Sequence, residues 1–153
     1  MSLGFVFPGQ GSQTVGMLGE MAEQHQIVRE TFDQAGEVLG LDMWHLVSEG
    51  PQERLNQTEI TQTVLLTDST ALWRAWQEGN GGQPAILAGH SLGEYSALVC
   101  AGALAFEEGV SLVHKRGKLM QEAVPEGEGA MAAILGLGDE VVADCCEQVE
   151  GVV

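Results

Sequence analysis

The segment Gly89-His90-Ser91-Leu92-Gly93 constrains the fold of this chain more than any other stretch. The apolar run 84–88 precedes it and predicts a buried strand, and residues 94–101 are rich in helix formers. A G-x-S-x-G pattern between a strand and a helix is typical of a nucleophile elbow, a sharp turn that exposes the serine hydroxyl. We therefore predict that Ser91 is a nucleophile and that the Leu92 amide can stabilise a developing oxyanion.

A purely structural interpretation of the same segment is also open. In it, Gly89 and Gly93 only form a tight turn, and Ser91 caps the following helix. Short G-x-S-x-G matches also arise by chance. The strand and helix cues on either side favour the catalytic interpretation.

Composition limits the possible classes of protein. With 153 residues, 44% of them hydrophobic, the chain is expected to form a domain with a real core. A net charge of −16 with only six basic residues argues against nucleic acid and anionic membranes as partners. No apolar run is long enough to span a membrane and the start lacks a signal peptide, so we expect a cytoplasmic protein. The three cysteines give no disulfide framework, and no Cys/His spacing predicts a metal site.

Alternating strand and helix patterns predict an α/β fold. A strand at 3–7 leads into the Gly-rich loop Pro8–Gln13, whose amides either face a ligand or only connect to a helix beginning near Ser12. Without a G-x-G-x-x-G pattern or a P-loop lysine, this loop predicts no nucleotide site. The remaining predicted elements are helices at 26–39, 41–47, 51–55, 61–77 and 106–122, a strand at 130–135, a helix at 139–149 and a strand from 151. Trp73 and Trp76 are expected in the core.

The polar break at 125–129 is the best candidate for a domain boundary. A serine nucleophile also needs a base, usually a histidine. None of the four histidines, His25, His45, His90 and His114, carries a cue for that role. We therefore expect the base to lie outside these 153 residues.

Arg116 admits two interpretations. Its guanidinium can hold a carboxylate through two parallel hydrogen bonds. On spacing alone, however, Lys115, Arg116 and Lys118 favour a solvated helix face.

Three motifs together identify a family resemblance. Residues 7–13 (FPGQGSQ), residues 89–97 (GHSLGEYSA) and Arg116-Gly117, in this order, resemble the malonyl-CoA:acyl-carrier-protein transacylases, the acyltransferase family of fatty-acid and polyketide synthesis. Residues 121–125 and 129–133 match as well, so the resemblance runs over essentially the whole chain.

The resemblance implies a two-part architecture. Residues 1–124 would be the front part of an α/β-hydrolase-like large subdomain, a parallel sheet with flanking helices. Residues 129–153 would be an incomplete ferredoxin-like small subdomain. The family's catalytic histidine lies in a second half that is not in this sequence. We therefore expect this chain alone to be inactive, with the C-terminal half as a missing segment or a second chain.

The resemblance also implies a reaction. Ser91 would take a malonyl group from malonyl-CoA and pass it to the phosphopantetheine thiol of acyl carrier protein. The amides of Gln10 and Leu92 would form the oxyanion hole, and Arg116 would hold the malonyl carboxylate. The expected residues around the acyl group are Gln62, Met120 and Met131. The coenzyme A thioester is a substrate, and no bound cofactor or metal is implied.

Two alternatives remain from the residues. One is a serine acyl hydrolase or thioesterase with the same elbow, which would not need a buried arginine facing the acyl group. The other is a non-catalytic fragment that binds acyl groups or a carrier protein, in which malonyl-CoA would not label Ser91.

Overall fold

A computed structural model of the chain describes residues 2–123 and 134–149. The chain divides into two compact units, residues 1–123 and 124–153. Among the described residues, the first unit contains two strands and seven helices, and the second contains one helix.

The two strands of the first unit form a parallel pair. Strand β1 spans Gly4–Phe7 and strand β2 spans Ile86–Gly89, with Gly4 opposite Ile86 and Phe7 opposite Gly89. Because parallel strands end at the same edge, the loop after β1 and the turn after β2 leave the sheet side by side. The mixed α/β class predicted from the sequence is confirmed by this pair and its many helices. The prediction that the strand before Ser91 is buried is wrong, because β2 has no buried residue and Ile86 is 67% exposed.

The helices of the first unit mostly follow the predicted pattern. They are α1 (Gly19–Gln24), α2 (Gln26–Leu39), α3 (Met43–Glu49), α4 (Gln52–Leu55), α5 (Thr58–Glu78), α6 (Leu92–Cys100) and α7 (Phe106–Ala123). The prediction of a helix beginning near Ser12 is wrong. Gly11, Gly16 and Leu18 all have positive φ angles, and a right-handed helix cannot include them, so the first helix begins only at Gly19.

Helix α5 is the centre of the first unit, since 13 of its 21 residues are buried. Several of them are threonines, whose hydroxyls would be costly to bury without a partner. Thr63, Thr67 and Thr70 each donate to the carbonyl four residues earlier, at 2.8 Å, so the helix satisfies these groups itself. Helices α2, α6 and α7 pack around α5.

The two tryptophans of α5 differ in burial. Trp73 is buried beside Phe7, as predicted, and meets the ring of Phe5 edge-on. The prediction of a core position for Trp76 is wrong, because 40% of its surface is exposed. Its indole Nε1 donates to the carbonyl of Gly82 at 3.1 Å, a contact that keeps the polar end of the ring near the surface.

The described part of the second unit contains helix α8 (Asp139–Glu147), which ends two residues before its predicted end. Residues 130–133 and the strand expected from 151 lie outside the described residues. Ile134 and Leu135 are not in a strand. Across residues 2–123 and 134–149, no helix combines the length and apolar character needed to cross a membrane.

Candidate active site

The turn between β2 and α6 is sharp and strained at Ser91. Its backbone angles are φ 54° and ψ −108°, a combination that residues other than glycine rarely adopt. Such strain is characteristic of a nucleophile elbow, where the turn lifts the serine out of the strand.

Two glycines make this turn possible. A Cβ on Gly89 would lie 2.0 Å from the carbonyl carbon of Gly93, and a Cβ on Gly93 would lie 2.2 Å from the carbonyl oxygen of Phe7. Both neighbours are backbone atoms, which cannot rotate away. Helix α6 therefore approaches both strands closely only because both positions are glycine.

The side chain of Ser91 does not cap the helix. No capping hydrogen bond forms from its hydroxyl, although Ser91 directly precedes α6. The capping interpretation of this serine is therefore wrong. Instead, Nη2 of Arg116 donates to Oγ of Ser91 at 3.1 Å.

Arg116 lies between Ser91 and a second polar side chain. Its Nη1 donates to Oε1 of Gln62 at 2.6 Å, and its guanidinium lies 5.7 Å from the ring centre of Tyr95. The Lys115 and Lys118 side chains are exposed, as expected of a solvated face, but Arg116 is half-buried. The arginine thus belongs to the side of α7 that faces α5 and α6.

Gln62 is held in one orientation. Its side chain is completely buried on α5, its Oε1 accepts from Arg116, and its Nε2 lies 3.1 Å from the sulfur of Met120. These contacts bring together Ser91, Arg116, Gln62 and Met120, all of which were predicted site residues. Met131, the remaining predicted pocket residue, lies outside the described residues.

A close approach of two helices creates this cluster. A Cβ on Gly117 would lie 2.4 Å from the Cα of Glu59, so α7 touches the backbone at the start of α5. Gly117 directly follows Arg116, and Glu59 lies one helical turn before Gln62. Contact between the backbones therefore places the arginine within reach of the glutamine.

The loop after β1 runs beside the elbow. A Cβ on Gly9 would lie 3.4 Å from the carbonyl oxygen of His90, which places the neighbouring Gln10 at the same edge of the sheet. Leu92 is the first residue of α6, so its amide has no partner within the helix. The roles of the Gln10 and Leu92 amides in an oxyanion hole stay predictions.

A shallow cavity lies beside the arginine. It has a volume of about 420 Å³ and is lined by the predicted residues Arg116 and Met120 together with Leu112, Lys115, Leu119 and Ala123. A pocket with mostly apolar walls and two positively charged side chains, Lys115 and Arg116, suits a small ligand that carries an acidic group. Another cavity, of about 750 Å³, lies along α2 and α3 and contains none of the predicted site residues.

No histidine is placed as a base among residues 2–123 and 134–149. The hydrogen bond to Ser91 Oγ found there comes from Arg116, and none of the four imidazole rings makes a hydrogen bond to this oxygen. His45 and His90 are exposed. In the same ranges, no group of His, Cys, Asp or Glu residues could hold a metal ion.

Cys100 is a second candidate nucleophile near the elbow, at the end of α6. It is buried at the end of the helix, and this burial raises the pKa of its thiol to about 12, although the nearby Arg74 opposes the shift. The thiol is therefore protonated at neutral pH and is a poor nucleophile. Cys100 is therefore not a competing nucleophile to Ser91.

The sequence analysis missed Tyr95, whose ring lies against the arginine. Tyr95 follows Ser91 by four residues, a spacing that places two side chains on the same side of a helix. That spacing would have indicated the residue.

Comparison with known proteins gives the family. The profile of a family described as acyl transferase domain matches residues 4–153. The chain therefore belongs to the acyl transferase family.

Individual proteins of known sequence or structure are similar to this chain over nearly its whole length. It is 62% identical over 144 residues to the malonyl CoA-acyl carrier protein transacylase of Escherichia coli K12, which covers 94% of this chain and 47% of that protein. The solved malonyl CoA-acyl carrier protein transacylase of Coxiella burnetii is 59% identical with a TM-score of 0.93, over 97% of this chain and 47% of that one. A structure of a type II PKS acyl-carrier protein in complex with its malonyl-transacylase matches with 54% identity and a TM-score of 0.93. The match covers 99% of this chain and 49% of the chain in that structure. The chain thus spans about half the length of the relatives it matches.

Proposed function

We propose that this chain carries the nucleophile and carboxylate-binding half of a malonyl-CoA:acyl carrier protein transacylase. The observation that carries the proposal is the contact of Arg116 with both Ser91 Oγ and Gln62 Oε1, at 3.1 and 2.6 Å. The similarity to transacylases of that name supports the same substrates and partner, malonyl-CoA and acyl carrier protein. Participation in fatty-acid synthesis and a cytoplasmic location follow from the same proposal.

The proposed reaction has two steps. In the first, Ser91 Oγ attacks the thioester carbonyl of malonyl-CoA, its proton passes to a base, and the coenzyme A thiolate leaves. In the second, the phosphopantetheine thiol of the carrier protein attacks the serine ester, and Ser91 recovers its proton. Both steps pass through an oxyanion, for which we propose the amides of Gln10 and Leu92 as donors. No cofactor is needed, because the thioester itself is the activated group.

Arg116 would recognise the acyl group. A malonyl group carries a carboxylate, and such a charge is costly to bury without a partner. Gln62 occupies one side of the guanidinium and leaves other donors for the carboxylate oxygens, because an arginine has five N–H groups. Met120 and, by resemblance, Met131 would border the acyl chain. A hydrolase or thioesterase acting on uncharged acyl groups has no use for this arginine.

The proposed architecture assigns residues 1–124 to the front part of an α/β-hydrolase-like subdomain and residues 129–153 to the start of a ferredoxin-like one. The proton acceptor would be a histidine supplied from outside these 153 residues. With no imidazole at Ser91, we expect the purified chain to sustain no transfer at the rate of its longer relatives, since losing one member of a catalytic group costs orders of magnitude.

The test is covalent labelling of Ser91 in a protein that carries this sequence at the length of its relatives. Mass spectrometry after brief mixing with malonyl-CoA should show one malonyl adduct on the Ser91 peptide, and Ser91→Ala should abolish it. Ser96→Ala is the matched control, because it removes a hydroxyl from α6, the helix that follows Ser91. An adduct on Ser96 or Cys100, or none in the wild type, would overturn the proposal.

A further inference from the structure

Three side-chain amides connect the loop after β1 to helix α4. Nε2 of Gln13 donates to Oδ1 of Asn56 at 3.2 Å, and Nε2 of Gln52 donates to the same oxygen at 2.9 Å. Asn56 lies directly after α4, 43 residues from Gln13. One carbonyl oxygen thus accepts from two different elements and ties them together.

The other ends of these amides hold the loop backbone. Oε1 of Gln13 accepts from the amide of Gly11 at 3.0 Å, and Oε1 of Gln52 accepts from the amide of Val15 at 2.9 Å. Each glutamine is therefore used at both ends, as an acceptor for the loop and as a donor to Asn56.

A hydrogen bond to Gln13, and not packing, orients the backbone at Gly11, the residue after Gln10. Gly11 has φ +116°, and the position its Cβ would take has no atom within 4 Å. On the other side, Gly9 lies close to the carbonyl of His90. Gln10 therefore lies between a residue fixed by contact with the elbow and a residue fixed by the side chain of Gln13.

We propose that Asn56 and Gln13 are positioning residues for the amide of Gln10 in the oxyanion hole, a role that rests on the proposed function. An oxyanion-hole donor must lie about 2.7–3.1 Å from the developing oxyanion. A shift of about 1 Å in a reacting group can cost roughly 100-fold in rate. Asn56 acts through other side chains. It holds Gln13, which holds the peptide that follows Gln10, and it holds Gln52, which accepts from the amide of Val15.

Two substitutions of Asn56 can separate the loss of its hydrogen bonds from a change in side-chain size. Among residues 2–123 and 134–149, Asn56 makes side-chain hydrogen bonds only through its Oδ1. Asn56→Asp therefore keeps this acceptor, whereas Asn56→Leu removes it at similar size. Asn56 is exposed, so neither change opens a cavity. Glu53→Leu is the matched control, because Glu53 is an exposed residue of α4, three positions before Asn56.

The first measurement is amide exchange at Gly11 and Val15 in the 153-residue chain, followed by NMR. Asn56→Leu should speed exchange at both amides several-fold, and Asn56→Asp and Glu53→Leu should leave it within twofold of the wild type. Unchanged exchange in Asn56→Leu overturns the positioning role, whether or not the chain is an enzyme.

The second measurement is acylation of Ser91 by malonyl-CoA in a protein with this sequence at the length of its relatives. Asn56→Leu should lower the acylation rate constant about tenfold, as expected for the loss of hydrogen bonds in one network. KM should stay within twofold, and Asn56→Asp should restore the rate. A rise in KM alone, an equal loss in Glu53→Leu, or no rescue by Asn56→Asp contradicts the inference. A wild type that forms no adduct defeats the proposed function instead, and the exchange measurement then decides the positioning role alone.

Discussion

Arg116 on α7 donates from Nη2 to Oγ of Ser91 at 3.1 Å, so the arginine and the strained serine of the elbow form one site. The two residues are separated by 25 positions, and the whole of α6 lies between them in the chain. Their contact depends on how closely α7 packs against α5. The site can therefore be tested at the helix contact as well as at the two side chains.

The first prediction concerns that helix contact. Gly117→Ala should destabilise the fold by about 1–3 kcal/mol, because the added methyl meets the backbone of Glu59, which cannot move aside. It should also move Arg116 away from Gln62. Chemical denaturation measures the first effect. Gly19→Ala, at the start of α1, is the control, because a Cβ at Gly19 has no atom within 4 Å. Gly102→Ala is unsuitable as a control, because the φ of +72° at Gly102 would strain an alanine. Equal stability of Gly117→Ala and Gly19→Ala would show that the helices can adjust without cost.

The second prediction concerns Asp68 on α5. Burial raises the pKa of this carboxyl from 3.8 to about 6. The folded state therefore binds more protons than the unfolded state between these two values, and the contribution of Asp68 to stability falls as pH rises through them. Asp68→Asn should stabilise the chain by about 1–3 kcal/mol at pH 7, and this advantage should shrink as the pH falls from 6 toward 4.

The measurement is the free energy of unfolding of wild type and variant in urea across that range. Asp33→Asn, an exposed carboxylate on α2, removes the same charge and corrects for the strongly negative chain. If both variants gain equally at pH 7, general charge repulsion, and not the burial of Asp68, explains the effect.

The third prediction concerns the cysteines. Cys100 is buried with a pKa raised to about 12, whereas Cys145 and Cys146 are exposed. In the folded chain at pH 8, iodoacetamide should modify Cys145 and Cys146 and leave Cys100 intact. Unfolding in urea should then allow Cys100 to react. Peptide mass spectrometry reads all three sites, and alkylation of Cys100 at a rate similar to the exposed pair in the folded chain would refute its burial.

Local features explain what the sequence alone could predict. The elbow depends on five consecutive residues and the elements that flank them, and α2 has the same bounds in the sequence pattern and the structure. One segment that the sequence mispredicted follows Ser12, where the left-handed conformation of Leu18 prevents a helix from continuing through it. No propensity rule predicts that conformation for leucine.

Tertiary packing decides the rest of the site. Spacing could not show whether Arg116 faces water or Ser91, because the side of α7 that packs inward depends on a glycine contact with α5. The contact between Gln13 and Asn56 spans 43 residues and was missed for the same reason. The resemblance to a family indicated the arginine, but only the geometry gives its partners.

The most direct test of the account is the specificity of an Arg116→Ala variant, in a protein that carries this sequence at the length of its relatives. Removing one member of a buried charge pair costs about 2–5 kcal/mol, so kcat/KM for malonyl-CoA should fall roughly 30-fold or more. The kcat/KM for acetyl-CoA, which lacks the carboxylate, should be unchanged or higher. Lys118→Ala removes the same charge from the exposed side of α7 and should alter neither value. Equal losses on both thioesters in Arg116→Ala would contradict the account, because the arginine would then support the fold and not the recognition of malonyl.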